Sequence, residues 1–442
     1  MTFESLNLNK QLLNALADLS LANPTVIQER AFSVIMSGVD VVGIAQTGTG
    51  KTFAYLLPCL NQWKYTKDKA PTILILVPTR ELVAQVISNV EQLTTYMNVR
   101  VSGAYGGTNI KSQIAILGEG LDILVATPGR LLDLIFNGSL KVKNIKKLVI
   151  DEVDEMLNLG FGDQLLKVLD LLPERRQNLM FSATIIEEVE QIITTFFNSP
   201  QRIEAAPAGT PLDSITQEAY EVPNFNTKIN LLRYLLSGDS LTKVLIFTAS
   251  KRTANAVFER LSEFFPETTG VIHANKDQNF RFQAVNDFND GILRILVATD
   301  LVSRGLDITG VSHVINFDLP EIAENYIHRI GRTGRADQKG EAITFIIPDD
   351  DKRREQIESL MNQAIPIVEF PSAVEVSQLL TADEMPVDHR EGQTLRKKNI
   401  VPSGPAFHEK KAKNKKVNIR YNHEKEMRKK YKKPRTKGGK RK

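Results

Sequence analysis

Cysteine and tryptophan are almost missing from this sequence of 442 residues, which contains one of each. A single cysteine, Cys59, excludes an intrachain disulfide framework and a cysteine-rich zinc site. Its apolar neighbours predict a buried, unreactive thiol. The sequence also has no apolar run near the length of about 18 residues that a membrane span needs, and its first residues do not have the form of a signal peptide. We therefore expect a soluble cytoplasmic protein with no membrane segment.

Net positive charge is confined to the end of the chain, and the rest of the chain is acidic. Residues 390–442 contain 21 Lys or Arg against four Asp or Glu, so this tail carries +17 and the preceding 389 residues carry −13 of the net +4. The tail has no hydrophobic periodicity and cannot bury enough apolar surface to offset the entropy lost on ordering. We predict that it is disordered and binds a polyanion. The alternative is a tail that serves only solubility.

A loop of small residues follows one apolar run and precedes a segment typical of a helix start. Strand, small-residue loop, Lys-Thr and helix is the layout of a phosphate-binding loop. Glycines let the backbone approach phosphate, Lys51 can reach the outer phosphates, and the Thr52 hydroxyl can bind Mg²⁺. The residues predicted to contact a nucleotide are Ala45, Gln46, Thr47, Gly48, Thr49, Gly50, Lys51 and Thr52. Because Ala45 replaces the glycine of the usual pattern, an ordinary strand-to-helix turn is the alternative.

Short apolar runs alternate with helical segments on both sides of a Pro-Ala-Gly-Thr-Pro interruption. The predicted strands are 39–44, 72–77, 100–105, 123–126, 148–150, 178–181, 244–247, 270–272, 295–297, 314–317 and 342–347. Continuous apolar runs of this length are typical of parallel sheets covered by helices on both faces. We predict an α/β fold with two tandem domains, 1–206 and 213–371, and a linker at 207–212. The sequence assigns no structure to the extension 372–389.

Acidic residues follow the predicted strand 148–150 in the order Asp-Glu-Val-Asp. Ligands of open α/β sheets bind beyond the carboxyl ends of the strands. We therefore expect this strand end and the end that leads into the phosphate-binding loop to lie side by side. Asp151 can then hold Mg²⁺, Glu152 can orient or deprotonate an attacking water, and Asp154 can form hydrogen bonds across the site. A run of surface charge is the alternative.

These motifs resemble those of the DEAD-box RNA helicases, superfamily 2 ATPases with two RecA-like domains. The resemblance covers about residues 3–371 and excludes the basic tail; Val153 stands where the family's name-giving motif has alanine. It implies an ATP-dependent RNA helicase of bacterial type, with ATP and Mg²⁺ as cofactors. Such an enzyme hydrolyses ATP when RNA draws two RecA-like lobes together. It locally unwinds short RNA duplexes or remodels RNA–protein complexes.

The resemblance implies a nucleotide site shared by both domains. Residues 24–28 match the Q motif, in which Gln28 reads the adenine edge with support from Thr25. Phe3 matches an upstream aromatic residue, whereas Leu21 replaces an aromatic that packs on adenine. The second domain contributes Asp307 toward the ribose, His328 across the interdomain site, and the arginine-finger candidates Arg332 and Arg335. The residues that couple the nucleotide to domain closure are Asp154, Ser182 and Thr184.

The resemblance also implies contacts with the RNA backbone, which position RNA without reading its sequence. The matching residues are Thr79, Arg80, Gly106, Gly107, Thr127 and Arg130 in the first domain and Gln278, Arg281 and Thr299 in the second. A structural ion pair with a carboxylate is the alternative for Arg80. We expect a monomer, with ribosomal or mRNA-decay complexes as possible partners. An RNA clamp that has lost hydrolysis and a DNA translocase of the same superfamily are the alternative functions.

Overall fold

The computed structural model describes residues 2–46, 48–205, 214–238, 240–300, 308, 310–334, 339–381 and 384. The predicted linker and the basic tail lie outside these residues. Two separate sheets organise the described part of the chain. We call the residues around the first sheet, 2–205, the first lobe, and those around the second sheet, 214–384, the second lobe.

Helices surround both sheets. Their bounds are α1 Lys10–Asp18, α2 Val26–Met36, α3 Lys51–Asn61, α4 Arg80–Leu93, α5 Ile110–Glu119, α6 Pro128–Phe136, α7 Val153–Asn158, α8 Gly162–Leu171, α9 Glu187–Phe196, α10 Phe225–Leu236, α11 Lys251–Ser262, α12 Gln278–Asn289, α13 Ala323–Ile330 and α14 Asp351–Met361. Side-chain oxygens cap several helix starts; Thr79, for example, accepts a hydrogen bond from the Leu82 amide at 3.3 Å. None of the described helices is long and apolar enough to cross a membrane.

The first sheet contains seven strands, every one paired in parallel with its neighbours. Their bounds are β1 Val41–Ile44, β2 Ile73–Leu76, β3 Val101–Ala104, β4 Ile123–Ala126, β5 Lys147–Asp151, β6 Gln177–Ser182 and β7 Gln201–Glu204. Their order is β3-β4-β2-β5-β6-β1-β7. Apolar side chains from both faces are buried under helices, in two separate core clusters. This explains why the central strands appear as continuous apolar runs.

One expectation about this sheet is wrong. We expected the strand that ends at Asp151 and the strand that leads into the phosphate-binding loop to lie side by side, but β6 separates them. Sequence order does not determine which parallel strands become neighbours, because each crossover helix can span an intervening strand. The Ser-Ala-Thr segment after β6 therefore lies between the two motifs.

The second sheet contains six parallel strands in the described residues. Their bounds are β8 Ile215–Glu221, β9 Val244–Thr248, β10 Thr269–Ile272, β11 Ile295–Thr299, β12 His313–Asn316 and β13 Gly340–Ile346. Their order is β10-β11-β9-β12-β13-β8. The prediction of two tandem parallel-sheet α/β folds is confirmed.

Two strands that the sequence did not predict, β7 and β8, lie at sheet edges. Only one of the four residues of β7 is buried, and buried residues alternate with more exposed ones along much of β8. An edge strand keeps one side in contact with solvent, so its sequence lacks the continuous apolar run of a central strand.

The extension 372–389, to which the sequence assigned no structure, packs on α10 in its described part. Asn224, Asn226 and Asn230 donate side-chain hydrogen bonds to carbonyls of the extension at 2.7, 2.8 and 2.9 Å. Val374 is buried against the second lobe. Polar contacts of this kind have no hydrophobic periodicity, which is why the sequence did not reveal them.

Candidate functional site

The phosphate-binding loop is bonded to the Q motif through Gly50. This glycine has φ +86°, and a Cβ there would lie 2.4 Å from Gln28 Nε2. Gln28 donates to the Gly50 carbonyl at 3.0 Å and accepts from the Thr25 amide at 2.9 Å. Only glycine combines this backbone conformation with so close an approach. The amide predicted to read adenine is thus held against the loop predicted to hold phosphate.

The rest of the loop is fixed by short contacts. Thr49 donates its hydroxyl to the Gln46 carbonyl at 2.7 Å, and the Ala45 amide donates to the Ser182 carbonyl at 3.0 Å. Thr47 lies outside the described residues. Alanine in place of the usual glycine is accommodated, because Ala45 is buried and its amide still bonds to the end of β6.

Lys51 begins α3 and points its charge into a protein interior. Its side chain is 7% exposed, and Nζ has no hydrogen-bond acceptor in the described part of the chain. A buried ammonium without a partner is unfavourable, and an anion would supply the missing acceptor. Lys51 lines a cavity of about 230 Å³ together with Gly48, Thr52 and Glu152.

Asp151, at the end of β5, lines the same cavity. It accepts a hydrogen bond from the Tyr55 hydroxyl at 2.9 Å and one from the Glu152 amide at 3.0 Å. Burial raises the pKa of Asp151 to about 6, although the charge of Lys51 and the Tyr55 hydrogen bond oppose this shift. Sequence reasoning missed Tyr55; the available signal was its position four residues after Lys51, on the same helix face.

Glu152 occupies a left-handed backbone conformation, with φ +51° and ψ +51°. It precedes α7 and lines the cavity beside Asp151. A non-glycine residue in this region costs on the order of 1–2 kcal/mol, and such strain occurs preferentially at functional sites. The sharp change of direction after β5 therefore brings two consecutive carboxyl groups to one cavity.

Asp154 connects α7 to the end of β6. Its Oδ2 accepts hydrogen bonds from the Ala183 amide at 3.2 Å, the Thr184 amide at 3.0 Å and the Thr184 hydroxyl at 2.9 Å. His328 Nε2 of the second lobe lies 3.7 Å away. Burial opposes ionisation of Asp154, but His328, Lys51 and the Thr184 hydroxyl hold its pKa well below the usual range. Ser182 donates its hydroxyl to the Thr184 carbonyl at 2.7 Å.

The second lobe contributes a cation to the first cavity. Arg332, which follows α13, is 6% exposed and lines the cavity that contains Lys51 and Glu152. The predicted residues Asp307 and Arg335 lie outside the described part of the chain. Phe3 is 3% exposed in the first core, and Leu21 is 41% exposed; contact of Phe3 with a nucleotide stays a prediction.

Arg329, which the sequence did not single out, holds α13 on the second sheet. It is 2% exposed and forms an ion pair with Asp300, with Nε–Oδ1 at 2.5 Å and Nη2–Oδ2 at 2.8 Å. It also donates to the Asp318 carbonyl at 2.6 Å. The buried guanidinium thereby fixes the helix that carries His328 and leads to Arg332.

A second cavity, of about 520 Å³, collects most of the predicted RNA contacts. Six of the nine predicted residues line it: Thr79, Arg80, Gly106, Thr127, Arg130 and Arg281. Gly107 has φ +83°, and a Cβ there would lie 3.1 Å from Arg80 Nη1. Gln278 reaches the site indirectly, by accepting from Arg80 at 3.4 Å. Thr299, at the end of β11, does not line this cavity.

Glu81 joins the two lobes in this second cavity. Its Oε1 lies 3.1 Å from Arg80 Nε and 2.8 Å from Arg281 Nη1 of the second lobe. The alternative considered for Arg80, an ion pair with a carboxylate, is therefore present. Arg281 Nε and Nη2 are buried and have no hydrogen-bond partner among the described residues. Sequence reasoning missed Glu81, whose partner lies 200 residues away in the chain.

Arg130, which lines the second cavity, is held by several contacts within the first lobe. It donates to Gln113 Oε1 at 2.9 Å and to the Thr108 carbonyl at 3.0 Å, and Asp133 lies 3.5 Å from its Nε. The described residues contain no group of three or more His, Cys, Asp or Glu that could hold a metal ion. The two cavities are thus lined by lysine and arginine side chains, hydroxyls and glycine backbone, and the described residues build no metal cage around them.

Comparison with known proteins finds relatives that cover both lobes. Residues 25–192 match the DEAD/DEAH box helicase family, and residues 227–337 match the helicase conserved C-terminal domain. RNA helicase CrhR of Synechocystis sp. is 38% identical over 375 residues, which cover 85% of this chain and 76% of that protein. DEAD-box ATP-dependent RNA helicase RhpA of Helicobacter pylori is 36% identical over 371 residues, covering 84% and 75%.

Solved structures show the same two-lobed fold. The structure of S. cerevisiae Dbp5 bound to RNA and ADP BeF3 matches with a TM-score of 0.76 at 30% identity, and the match covers 84% of this chain and 96% of the chain in that structure. The predicted RecA-like architecture is confirmed by this likeness. From the matched domains, these relatives and the two cavities, we conclude that the chain belongs to the DEAD-box ATP-dependent RNA helicases.

Proposed function

We propose that this RNA-dependent ATPase closes its two lobes over ATP and RNA together, and that closure completes both sites. One observation carries the proposal: Arg332 of the second lobe lines the same cavity as Lys51 and Glu152 of the first. A guanidinium on the terminal phosphate would stabilise the charge that develops during hydrolysis, an effect of about 10³–10⁵ in rate. Arg335 is proposed to act beside it.

The first cavity fits ATP with Mg²⁺. Lys51 would pair with the outer phosphates, which supplies the acceptor that its buried Nζ lacks. Thr52 and Asp151 would hold Mg²⁺, which keeps most of its ligands as water and phosphate oxygens and therefore needs no protein cage. When bound, Mg²⁺ neutralises phosphate charge. Glu152 would orient or deprotonate the attacking water.

The second cavity fits the RNA backbone. Dbp5, which resembles this chain in structure, holds RNA and ADP BeF3, and we propose that this chain holds RNA and ATP in the corresponding places. Thr79, Thr127 and Arg130 would contact phosphates, while Gly106 and Gly107 allow the strand to approach. A strand bent by these contacts cannot remain in an A-form duplex, so closure would open a short helix locally.

Two contacts between the lobes would couple these ligands. His328 approaches Asp154 next to the nucleotide cavity, and Arg281 binds Glu81 next to the RNA cavity. Both contacts form only when the lobes approach each other. ATP and RNA should therefore each increase the affinity for the other, because each favours the same closed state.

A strand-displacement experiment tests the proposal. Wild type, Lys51→Ala, Arg332→Ala and the exposed control Lys10→Ala would be mixed with RNA and DNA duplexes, with and without ATP. We expect ATP-dependent opening of RNA duplexes by wild type and Lys10→Ala only. Opening of DNA duplexes would support the translocase alternative, and RNA binding without ATP hydrolysis would support the clamp. Unchanged activity of Arg332→Ala would refute the shared site.

Further proposals rest on the sequence. We propose domain bounds of 1–206 and 213–371, the linker at 207–212, and a monomer that acts in the cytoplasm. The charge of +17 in the tail would suit ribosomal or mRNA-decay complexes, whose RNA is a polyanion. Crosslinking in cells followed by sequencing of the bound RNA would identify the physiological substrate.

A further inference from the structure

A third cavity lies at the edge of the first sheet that is opposite the nucleotide site. It has a volume of about 1110 Å³, and its walls come from residues near the starts of β2, β5 and β6. The nucleotide cavity lies beyond the opposite ends of these parallel strands. At about 3.3 Å per residue, the six residues of β6 place the two edges roughly 20 Å apart. This cavity, which we call the basal cavity, is therefore separate from both cavities described above.

Positive charge dominates the lining of the basal cavity. Its charged residues are Lys64, Lys143, Lys146, Lys147, Arg175, Arg176 and a single carboxylate, Asp68. The first 389 residues of the chain carry a net charge of −13, so six cations in one cavity depart from the surrounding composition. A concave surface lined by one sign of charge concentrates ligands of the opposite sign.

These cations form no ion pair with a carboxylate in the described part of the chain. Lys147 donates to Gln177, and Arg176 donates to Asn178 at 2.8 Å, so the side chains of these two cations are held in place in the wall of the basal cavity. None of the six forms an ion pair within the described ranges. The remaining four, Lys64, Lys143, Lys146 and Arg175, are exposed. They are therefore available to a polyanion.

Aromatic rings stand beside these cations. Tyr65 is 66% exposed, and both Tyr65 and the partly buried Trp63 line the basal cavity. Proteins that bind single-stranded nucleic acid combine a basic groove with aromatic rings on which bases stack. An acidic polypeptide would use the charge but would leave the exposed ring without a partner. The combination favours RNA.

We propose that the basal cavity is a second RNA-binding site, which holds a single-stranded flank of an RNA whose other part occupies the catalytic lobes. Lys143, Lys146 and Arg175 contact phosphates there, and a base stacks on Tyr65. The basal cavity adds affinity for long strands and none for strands too short to extend beyond the second cavity, where the predicted RNA contacts lie. A linked second site of this kind increases overall affinity without changing the chemistry.

The test uses full-length protein and fluorescent oligouridines of two lengths, one that fills only the catalytic site and one that extends far beyond it. Lys143→Ala/Lys146→Ala is compared with wild type and with Lys10→Ala/Lys167→Ala, which removes two exposed lysines outside the cavity. All variants keep the basic tail, so its contribution cancels. Affinity is measured over a salt series, and ATP hydrolysis is measured with the short strand.

We expect the log–log salt dependence of long-strand binding to become shallower by about 1.4, because each of the two lysines that no longer neutralises a phosphate lowers the slope by about 0.7. If the curves of wild type and variant meet at 1 M salt, this difference corresponds to roughly 25-fold weaker binding at 0.1 M. The short strand should bind and stimulate ATP hydrolysis as in wild type. An unchanged slope with the long strand would overturn the proposal, and an acidic-polypeptide site would give that result.

Tyr65 provides a second test, because its exposed ring can be changed without disturbing the core. Tyr65→Ala should weaken long-strand binding by at least about fivefold, whereas Tyr65→Phe should retain it. Equal binding by the two variants would refute stacking at this site. If wild type itself showed no ATP hydrolysis with the short strand, the closure proposed above would fail instead, and the two failures would be distinguished.

Discussion

Replacing Glu81 with glutamine tests whether the lobes communicate through the RNA cavity. The carboxylate lies 2.8 Å from Arg281 Nη1 of the second lobe, and the two side chains are 7% and 4% exposed. Glutamine keeps the shape of the side chain but removes its charge. When the lobes separate, Glu81 retains Arg80, which is on its own lobe. The destabilisation therefore falls on the closed state.

The magnitude follows from the type of interaction. A hydrogen bond to a charged group contributes about 1.5–3 kcal/mol, and removing one partner of a buried ion pair can cost about 3–5 kcal/mol. Because glutamine retains a polar acceptor, we use the lower range. It corresponds to a shift of the open–closed equilibrium by about 10- to 150-fold. RNA-stimulated hydrolysis by Glu81→Gln should fall by that factor, with ATP affinity in the absence of RNA unchanged.

Steady-state ATP hydrolysis over a range of RNA concentrations measures this effect. Glu91→Gln, an exposed change on the same helix, is the matched control. Combining Glu81→Gln with Arg281→Met completes a double-mutant cycle, in which the second change should cost little once the pair is broken. Strictly additive effects, or RNA-stimulated hydrolysis by Glu81→Gln within twofold of wild type, would show that this ion pair does not support closure.

Three further substitutions probe the first lobe. Tyr55→Phe removes a hydrogen bond to Asp151. Because the pKa of Asp151 is raised from 3.8 to about 6 by folding, ionisation of this carboxyl lowers the stability as pH rises through that range, and the full cost is present above about pH 6. We therefore expect the substitution to destabilise the protein by about 1–2 kcal/mol near pH 7 and by less near pH 5, as measured by urea unfolding. Gly50→Ala should weaken ATP binding at least about tenfold, because the new Cβ displaces Gln28 and φ is +86°. Equilibrium titration measures this affinity, and Gly118→Ala, whose Cβ would meet nothing within 4 Å, is the control. Folding lowers the pKa of Asp154, so this carboxylate contributes to the stability of the protein above about pH 4, and the contribution disappears as pH falls. Asp154→Asn should therefore remove part of the decrease in stability that acid causes. Identical acid titrations of wild type and variant would contradict this.

Local chemistry made much of the site predictable from sequence. Gly50 and Lys51 are adjacent in the chain, and the carboxylates Asp151 and Glu152 are consecutive, so the proximity within each pair could be inferred without knowing the fold. Tyr55 was missed because its function depends on which strand end faces its helix. Glu81 was missed because its partner comes from the other lobe. Both contacts, Tyr55 with Asp151 and Glu81 with Arg281, join residues that are far apart in the sequence.

The fold shows the same division. Central strands were predictable because helices cover them on both faces, which requires continuous apolar sequence. The edge strands β7 and β8 need only a partly apolar face and were missed. The position of β6 between β1 and β5 was also unpredicted, because parallel strand order depends on how crossovers pack rather than on any single segment.

The position of β6 determines how mutational data on this enzyme should be interpreted. The amides of Ala183 and Thr184 donate to Asp154, and the carbonyl of Ser182 accepts from Ala45. These donors and this acceptor belong to the main chain, so an alanine scan of the segment would leave them intact and underestimate its importance. Amide-to-ester replacement at residues 183 and 184 would remove the donors individually and measure what side-chain substitution cannot.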